Sequence, residues 1–251
     1  EELGEALPAG AARNAVDCAF WDLQAKISGV PVAQRIGLQD LQPQITAYTL
    51  SLDLPEAMER QAKLHAHRPL LKIKLGTPDD MPRLEAVRRG APQARIIVDA
   101  NEGWSVEVYS DLAPHLLRLG VELVEQPLPA SEDHALLGVA RPLPICADES
   151  VHTADGLEDL VDRYDMVNIK LDKTGGLTEA LNLKRQAIDM GFEIMVGCMV
   201  GTSLAMAPAV LVAQGAKIVD LDGPLLLKED RENGIDFTDG LIRPASSALW
   251  G

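Results

Sequence analysis

Between residues 95 and 172, four short apolar runs each end on a charged side chain: RIIVDAN (95–101), VELVEQP (121–127), LPICADE (143–149) and MVNIKLD (166–172). The charged residues follow one another at spacings of 26, 23 and 22 residues, and they are Asp99, Glu125, Asp148 and Lys170. One strand and one helix fill each spacing, and a closed parallel barrel brings the carboxyl ends of its strands to one rim. The pattern therefore predicts one site that contains three carboxylates and a lysine.

The same alternation of short β-branched runs and longer amphipathic segments extends over most of the chain, as is typical of repeated βα units. It predicts eight strands, at 44–52, 70–76, 95–101, 121–127, 143–149, 166–172, 193–199 and 216–222. It predicts seven helices between them, near 55–67, 79–89, 105–119, 132–139, 153–163, 176–190 and 202–214. The predicted fold class is therefore α/β, a modified TIM barrel of the (β/α)₇β type.

An open doubly wound sheet has the same local pattern, but it would concentrate polar residues at one switch point. Here they recur at the end of strand after strand, which favours the barrel. The predicted organisation is a lead-in helix and connection over 1–43, a barrel over 44–223 and a turn-rich tail over 224–251. Because the first residue is not Met and the opening helix is typical of a mid-protein element, a segment is expected upstream.

The composition limits the partners and the compartment. The chain has 23 Lys and Arg against 38 Asp and Glu, a formal net charge of −15, which repels nucleic acid and anionic membranes. No apolar run approaches the roughly 20 residues of a membrane span, and the start lacks the features of a signal peptide. A cytoplasmic protein that binds neither nucleic acid nor membrane is expected.

The other motifs give little. Cys18, Cys146 and Cys198 lack CxxC spacing, so neither a disulfide framework nor a zinc site is predicted. None of the five histidines has metal-ligand spacing. Without a glycine-rich phosphate motif, nucleotide binding has no support.

Asp99, Glu125 and Asp148 offer only oxygen ligands. Converging hard carboxylates favour Mg²⁺ or Mn²⁺, and three negative charges close together require a cation. The alternative is that each acid is a solvated strand-end residue, which is common for one acid but uncommon for three successive barrel strands.

The strand LLKIKLG (70–76) places Lys72 and Lys74 on one face, opposite the apolar side chains that meet the helices. Burial and a neighbouring cation both disfavour a charged lysine, so such a pair can supply a base. The alternative is a pair of lysines that snorkel to the rim.

Lys170 lies nearly across the predicted barrel from this pair, so a substrate held over the metal would have a lysine on each side. Metal coordination of a carboxylate stabilises the enediolate that forms when the adjacent α-proton leaves. Two bases on opposite faces permit removal from one side and return to the other, which inverts the stereocentre.

KIVDLDG (217–223) places Asp220 and Asp222 on one face of the last predicted strand. Paired carboxylates away from the metal predict a cationic ligand, for which the free ammonium group of a substrate is the natural candidate. The alternative is a strand end that caps backbone groups or pairs with Lys228.

These residues, in this order, resemble the enolase superfamily, and specifically its muconate lactonizing enzyme subgroup. The matching stretches are KIK (72–74), VDAN (98–101), VEQP (124–127), ADES (147–150) and NIKLDKTGG (168–176). Within the subgroup, GCM (197–199) and DLDG (220–223) are similar to the dipeptide epimerases of the L-Ala-D/L-Glu type.

The resemblance implies a Mg²⁺-dependent dipeptide epimerase, with Mn²⁺ as a substitute, that transfers a proton at the α-carbon of the C-terminal residue of an L,L-dipeptide such as Ala-Glu. It implies that Lys74 and Lys170 are the acid/base lysines and that Lys72 tunes Lys74. The implied metal ligands are Asp99, Glu125 and Asp148, and the implied substrate-binding residues are Asp220, Asp222 and Met199.

Family members begin with a capping domain whose loops close over the barrel mouth. This chain starts at the helix that leads into the barrel, so the cap is expected to be missing and the tail to have lost its partner. A homo-oligomer is expected, because self-association is common for such barrels.

Three other functions stay open. Another reaction of the subgroup, such as N-acylamino acid racemisation, o-succinylbenzoate synthesis or muconate cycloisomerisation, uses substrates without a free ammonium group, which Asp220 and Asp222 argue against. A Schiff-base aldolase would use Lys170 or Lys74 as a nucleophile without metal. An uncapped barrel could instead serve as a binding or structural protein.

Overall fold

The structure of the chain is a computed structural model, which describes residues 2–251. Within these residues, eight parallel strands form one sheet in which they follow one another in chain order, as the strands of a βα barrel do. A separate antiparallel pair is formed by β1 (Gln44–Ile45) and β10 (Leu241–Ile242). The eight are β2 (Tyr48–Leu50), β3 (Leu70–Lys74), β4 (Arg95–Asp99), β5 (Val121–Glu125), β6 (Ile145–Ala147), β7 (Met166–Ile169), β8 (Glu193–Gly197) and β9 (Ile218–Asp220).

Helices precede and connect the strands. They are α1 (Glu2–Ala6), α2 (Ala11–Ser28), α3 (Val32–Arg35), α4 (Pro55–Leu64), α5 (Met81–Gly90), α6 (Val106–Arg118), α7 (Leu171–Thr174), α8 (Leu177–Asp189) and α9 (Ser203–Ala213). Short 3₁₀ helices lie at Asp133–Leu136, Leu157–Leu160, Gly223–Leu226 and Thr238–Gly240. In the part of the chain that the structure describes, no helix has the length and apolarity needed to cross a bilayer.

The chain divides into two compact units. The carboxylate unit comprises residues 47–151 and 158–167, and the Lys170 unit comprises residues up to 46, 152–157 and 168–251. Strand β7 therefore begins in the carboxylate unit and ends in the Lys170 unit.

Two predicted helices are wrong. The segments 132–139 and 153–163 contain only the 3₁₀ turns Asp133–Leu136 and Leu157–Leu160. Glycines with a left-handed backbone explain both interruptions, because Gly138 has φ 74° and Gly156 has φ 81°, and an α-helix cannot continue through such a residue.

The first predicted strand, 44–52, is also wrong as a single element. It is divided at Thr46, whose N–H donates to the carbonyl of Gly240 (3.0 Å) and whose Oγ1 accepts from the N–H of Leu221 (2.9 Å). As a result, β1 pairs with β10, and only β2 joins the parallel sheet.

The tail packs within the Lys170 unit on α2. The indole Nε1 of Trp250 donates to the carbonyl of Cys18 (2.9 Å), and the N–H of Gly251 donates to Asp22 (2.7 Å). Trp250 is buried. The predicted role of the tail on a capping domain stays a prediction.

Helix α2 also fixes the turn that follows Lys170. Arg13 donates to the carbonyls of Thr174 (2.5 Å) and Gly175 (3.2 Å). Gly175 and Gly176 have φ of 80° and 121°, and a Cβ on them would lie 2.3 Å from Arg13 and 2.4 Å from an Asp17 oxygen, respectively. Glycine at these two positions of the turn therefore has both a conformational and a steric reason.

Cys18, Cys146 and Cys198 form no disulfide in the described part of the chain. Cys18 lies on α2, and its Sγ donates to Asn14 Oδ1 (3.2 Å). Burial raises the pKa of its thiol to about 12.

The raised pKa of Cys18 predicts a loss of stability in alkali. The unfolded chain releases this proton near its ordinary pKa of 9.0 and the folded chain only near 12, so the unfolded state binds fewer protons in that interval and stability falls as pH rises. Urea unfolding at pH 8 and pH 10 should show a smaller fall for Cys18→Ala than for the parent chain. Equal falls in the two proteins would contradict the assignment.

Candidate active site

Three carboxylates meet in the carboxylate unit. Asp99 and Glu125 are the last residues of β4 and β5, and Asp148 directly follows β6. One oxygen from each lies within 4.8 Å of the others. All three side chains are buried. The structure therefore brings the three predicted metal ligands together.

Strand register explains this convergence. Lys74 on β3 pairs with Asp99 on β4, and Asp99 pairs with Glu125 on β5. Glu125 in turn pairs with Cys146 of β6, two residues before Asp148. Because side chains alternate along a strand, these residues point to one face and form a row across the sheet.

Two lysines of β3 lie against the carboxylates. Lys72 Nζ is 3.0 Å from Asp99 Oδ2 and 2.6 Å from Glu125 Oε2. Lys74 Nζ donates to Asp99 Oδ2 (2.7 Å) and to Asn101 Oδ1 (2.9 Å). The side chain of Lys72 is 2% exposed and that of Lys74 31% exposed. Only Lys74 of the pair is accessible to a bound molecule.

The lysines keep Asp99 charged. Burial on its own raises the pKa of the Asp99 carboxyl, but the charges of Lys72 and Lys74 outweigh it, and the pKa lies below its ordinary value. An ionised carboxylate is the form that binds a cation.

The residues present fit a magnesium ion. Mg²⁺ binds oxygen ligands at about 2.0–2.1 Å in octahedral geometry, so opposite ligands lie about 4.2 Å apart. Oxygens of Asp99, Glu125 and Asp148 within 4.8 Å of one another suit that geometry. The donor set contains no sulfur or imidazole, which favours a hard cation.

Gln126 links the strands that carry Glu125 and Asp148. Its side-chain oxygen accepts from the N–H groups of Asp148 (2.8 Å) and Ser150 (3.2 Å). Its Nε2 donates to the carbonyl of Leu128, to Ser150 Oγ and to the hydroxyl of Tyr164, at 2.8 to 2.9 Å. The side chain is fully buried, and its bonds to Asp148, Leu128 and Tyr164 are buried as well, so water cannot replace Gln126 at these three groups.

Replacing Gln126 by methionine should destabilise the chain. The change keeps the volume but leaves at least the N–H of Asp148 without this acceptor, and each buried polar group left unpaired costs about 1–3 kcal/mol. We expect the free energy of unfolding in urea to fall by about 3 kcal/mol. Gln61→Met, on the exposed face of α4, should change it by less than about 0.5 kcal/mol.

Magnesium titration by calorimetry separates this role from general packing. Because Gln126 holds the backbone of Asp148, the Gln126→Met variant should bind Mg²⁺ more weakly than the Gln61→Met variant. Unchanged affinity would show that Gln126 supports the fold without positioning a ligand.

The sequence reasoning missed Asn101, Gln126 and Glu149 as members of this site. Asn101 accepts from Lys74, and its Nδ2 donates to Glu149 at 3.4 Å. Burial, followed by the charge of Asp148, raises the pKa of Glu149. Each of them lies one or two residues after a predicted metal ligand, and this position was the available signal in the sequence. The position does not show which atoms the side chain contacts.

The remaining predicted residues lie in the Lys170 unit. Lys170 directly follows β7 and is 7% exposed, and Asn168, two residues earlier, is fully buried. Lys173 on α7 donates to the carbonyl of Asn168 (3.1 Å). This end of β7 is thus held by its own following helix.

Asp220 ends β9, Asp222 follows it, and both side chains are buried. The next residue, Gly223, lies close to the chain after β8, because a Cβ on it would be 2.9 Å from the carbonyl oxygen of Met199. The side chain of Met199 is 48% exposed. The structure therefore places the segment of Met199 beside the segment of the two acids.

Comparison with known families identifies the chain. Residues 55–246 match the family described as enolase C-terminal domain-like, and residues 2–37 match the N-terminal domain of mandelate racemase / muconate lactonizing enzyme. The chain belongs to the enolase superfamily, as the motifs predicted. Helix α2, on which the tail packs, lies in the N-terminal match.

Two curated relatives have related activities. The N-acetyl-D-glutamate racemase of Pseudoalteromonas sp is 51% identical over 250 residues, which are 100% of this chain and 79% of the relative. The L-Ala-D/L-Glu epimerase of Escherichia coli K12 is 48% identical over 242 residues, 96% of this chain and 75% of the relative. Both relatives are isomerases of amino acid derivatives.

Solved structures give the same family. An enolase family member from Agrobacterium tumefaciens with homology to dipeptide epimerases, holding sodium and L-Ala-L-Glu, is 56% identical with a TM-score of 0.98, over 100% of this chain and 77% of that one. The dipeptide epimerase of Enterococcus faecalis V583, complexed with Mg and L-Leu-L-Tyr, is 31% identical with a TM-score of 0.88. The match covers 96% of this chain and 73% of that one. The α/β barrel fold class is confirmed.

Proposed function

We propose that this chain is a Mg²⁺-dependent dipeptide epimerase that inverts the α-carbon of the C-terminal residue of L-Ala-L-Glu or a similar dipeptide. The observation that carries the proposal is the buried cluster of Asp99, Glu125 and Asp148 with two lysines against it. Relatives that are epimerases and racemases support it, at 48% and 51% identity.

The charges of the cluster suit a cation and a substrate carboxylate. Three carboxylates and the ammonium groups of Lys72 and Lys74 leave one net negative charge. A divalent cation bound to the three carboxylates would offset this excess of negative charge and attract a substrate carboxylate. When bound, Mg²⁺ would withdraw charge from that carboxylate and so acidify the neighbouring α-proton. Mn²⁺ has the same preference for oxygen ligands and is expected to substitute.

Lys74 is assigned the proton transfer on one face of the α-carbon, because its ammonium group is partly exposed beside Asp99. Lys72 contacts the same Asp99 oxygen but is 2% exposed, so it is assigned an electrostatic influence on Lys74 and no contact with substrate.

Lys170 is assigned the proton transfer on the other face. Its place directly after β7, its low exposure and the NIKLDKTGG stretch at 168–176 support this role. A pair of bases working on opposite faces gives inversion, whereas a single base would return the proton to the face it left.

Asp220 and Asp222 are assigned the substrate ammonium group, and Met199 is assigned to the substrate-binding surface. Buried carboxylates favour a cationic partner that compensates their charge. The Agrobacterium relative that holds L-Ala-L-Glu, a molecule with a free ammonium group, supports the assignment.

A second candidate is racemisation of N-acetylglutamate, which the 51% identical racemase favours. Its substrate resembles Ala-Glu at the reacting carbon but lacks the ammonium group. Asp220 at the end of β9 and Asp222 just after it are the feature that decides between the substrates.

The deciding experiment compares L-Ala-L-Glu with N-propionyl-L-glutamate, which differs from it only by the missing amine, and with N-acetyl-L-glutamate. Epimerisation in the presence of Mg²⁺ is followed by chiral chromatography. The proposal predicts the highest kcat/KM for the dipeptide. Faster turnover of the acyl compounds would favour N-acetylglutamate racemisation. No turnover of any of the three compounds with Mg²⁺ or Mn²⁺ would overturn both candidate functions.

We also propose a cytoplasmic location and a homo-oligomeric state. The first follows from the composition and the second from the family resemblance. Light scattering of the purified protein tests the second, since a monomer at micromolar concentration would contradict it.

A further inference from the structure

Gly197 ends β8 beside the side chains of Asn168 on β7 and of Lys170, which directly follows β7. A Cβ at this position would lie 2.7 Å from Asn168 Oδ1, 2.8 Å from Asn168 Nδ2 and 3.1 Å from Lys170 Cε. Approaches below 3.0 Å require the neighbouring atoms to move. The space that a side chain would take here is already filled by Asn168 and Lys170.

The backbone does not explain the glycine. Gly197 is absent from the residues with positive φ, so an L-amino acid could adopt its conformation. The displaced neighbours have little room, because Asn168 is fully buried and Lys170 is 7% exposed. Steric space, and not conformation, therefore selects glycine at this position.

We propose that Gly197 is a positioning residue, whose missing side chain lets Lys170 reach the geometry needed for proton transfer. The inference rests on the proposed function, in which Lys170 serves one face of the α-carbon and Lys74 the other. Lys170 Cε is among the three atoms nearest to a Cβ at Gly197, so we expect the added methyl group to act on Lys170. An added methyl group should therefore impair one of the two proton transfers.

The test is Gly197→Ala, assayed by loss of the Glu α-proton in D₂O from L-Ala-L-Glu and, separately, from L-Ala-D-Glu. Each lysine removes the proton of one epimer, so the two initial rates report the two lysines separately. Misplacement of a reacting group by about 1 Å can cost 100-fold. We expect the rate for one epimer to fall about 10- to 100-fold and that for the other to change less than about threefold.

Two reference variants fix the interpretation. Lys170→Ala identifies the epimer that depends on Lys170, and Gly197→Ala must slow the same epimer. Gly201→Ala is the matched control, because its nearest neighbours would be Ala205 Cβ (3.3 Å) and Met206 Cε (3.7 Å). It should leave both rates unchanged.

Equal loss for both epimers, or no loss, would overturn the inference. A parent chain that exchanges neither epimer would instead overturn the proposed function. If Gly197→Ala fails to fold, the double variant with Asn168→Ala replaces it, compared with Asn168→Ala alone. Lys170 Cε then remains near the new Cβ, so the same one-sided loss is expected, and a symmetrical one refutes the inference.

Discussion

Epimerisation of L-Ala-L-Glu should fall about 10²- to 10⁴-fold when either Lys74 or Lys170 is replaced by alanine, because each change removes one of the two acid/base groups. The fold should survive. Lys74 is a partly exposed rim residue, and β7 keeps the Lys173 bond to Asn168 when Lys170 is shortened. Chiral chromatography of the product measures the rate.

Lys217→Ala is the control for this prediction. Lys217 is a largely exposed lysine that pairs with Glu193 and directly precedes β9, at the end opposite Asp220, so its loss should leave the rate unchanged. Turnover at the parental rate in the Lys74 or the Lys170 variant would remove that lysine from the mechanism. Covalent trapping of a substrate by borohydride in the presence of EDTA would indicate Schiff-base chemistry instead.

Replacing Asp222 by asparagine should lower kcat/KM for L-Ala-L-Glu about 30-fold, which corresponds to about 2 kcal/mol for a lost buried charge pair. The same change should not lower kcat/KM for N-propionyl-L-glutamate, which has no ammonium group to lose. Asp220→Asn should shift the preference in the same direction. Steady-state kinetics on the two compounds measure the ratio.

The ratio of kcat/KM for L-Ala-L-Glu to that for N-propionyl-L-glutamate is the informative quantity, because a damaged fold would lower both values together. Asp189→Asn, at the exposed end of α8, is expected to change neither. An equal fall for the dipeptide and the propionyl compound would mean that Asp222 supports the structure and does not select an amine.

The convergence of the three acids could be predicted from the sequence, because the ends of the strands determine it. Asp99 and Glu125 end their strands and Asp148 follows the next, so the βα spacing alone brings their carboxylates together. The pairing of Lys74 with Asp99 needed the register between β3 and β4, which the spacing does not give. Lys72 and Lys74 were expected to face inside, and both do contact Asp99.

Connections were predicted less well than strands. An amphipathic pattern continues through Gly138 and Gly156, but their left-handed backbone stops an α-helix. The bonds of Thr46 to Gly240 and Leu221 join residues far apart in sequence, so periodicity could not show that the first strand is divided.

Residues that act through their neighbours could not be found from the sequence. Gln126 forms hydrogen bonds to Asp148 and Tyr164, which follow β6 and precede β7, respectively. Glycine is required at position 197 because the side chains of Asn168 and Lys170 fill the space beside it. Gln126 and Gly197 lie in stretches that resemble the family, but a motif does not say which atoms a residue touches. Such roles depend on three-dimensional packing.

The most direct test of metal-assisted proton abstraction is ¹H NMR of L-Ala-L-Glu in D₂O with the purified chain, with Mg²⁺, with EDTA and with Mg²⁺ restored in excess. We expect loss of the Glu α-proton signal with Mg²⁺, no loss with EDTA and recovery of exchange when Mg²⁺ returns, while the Ala α-proton persists throughout. Exchange that EDTA does not slow, or a signal that persists although calorimetry shows Mg²⁺ bound, would contradict it.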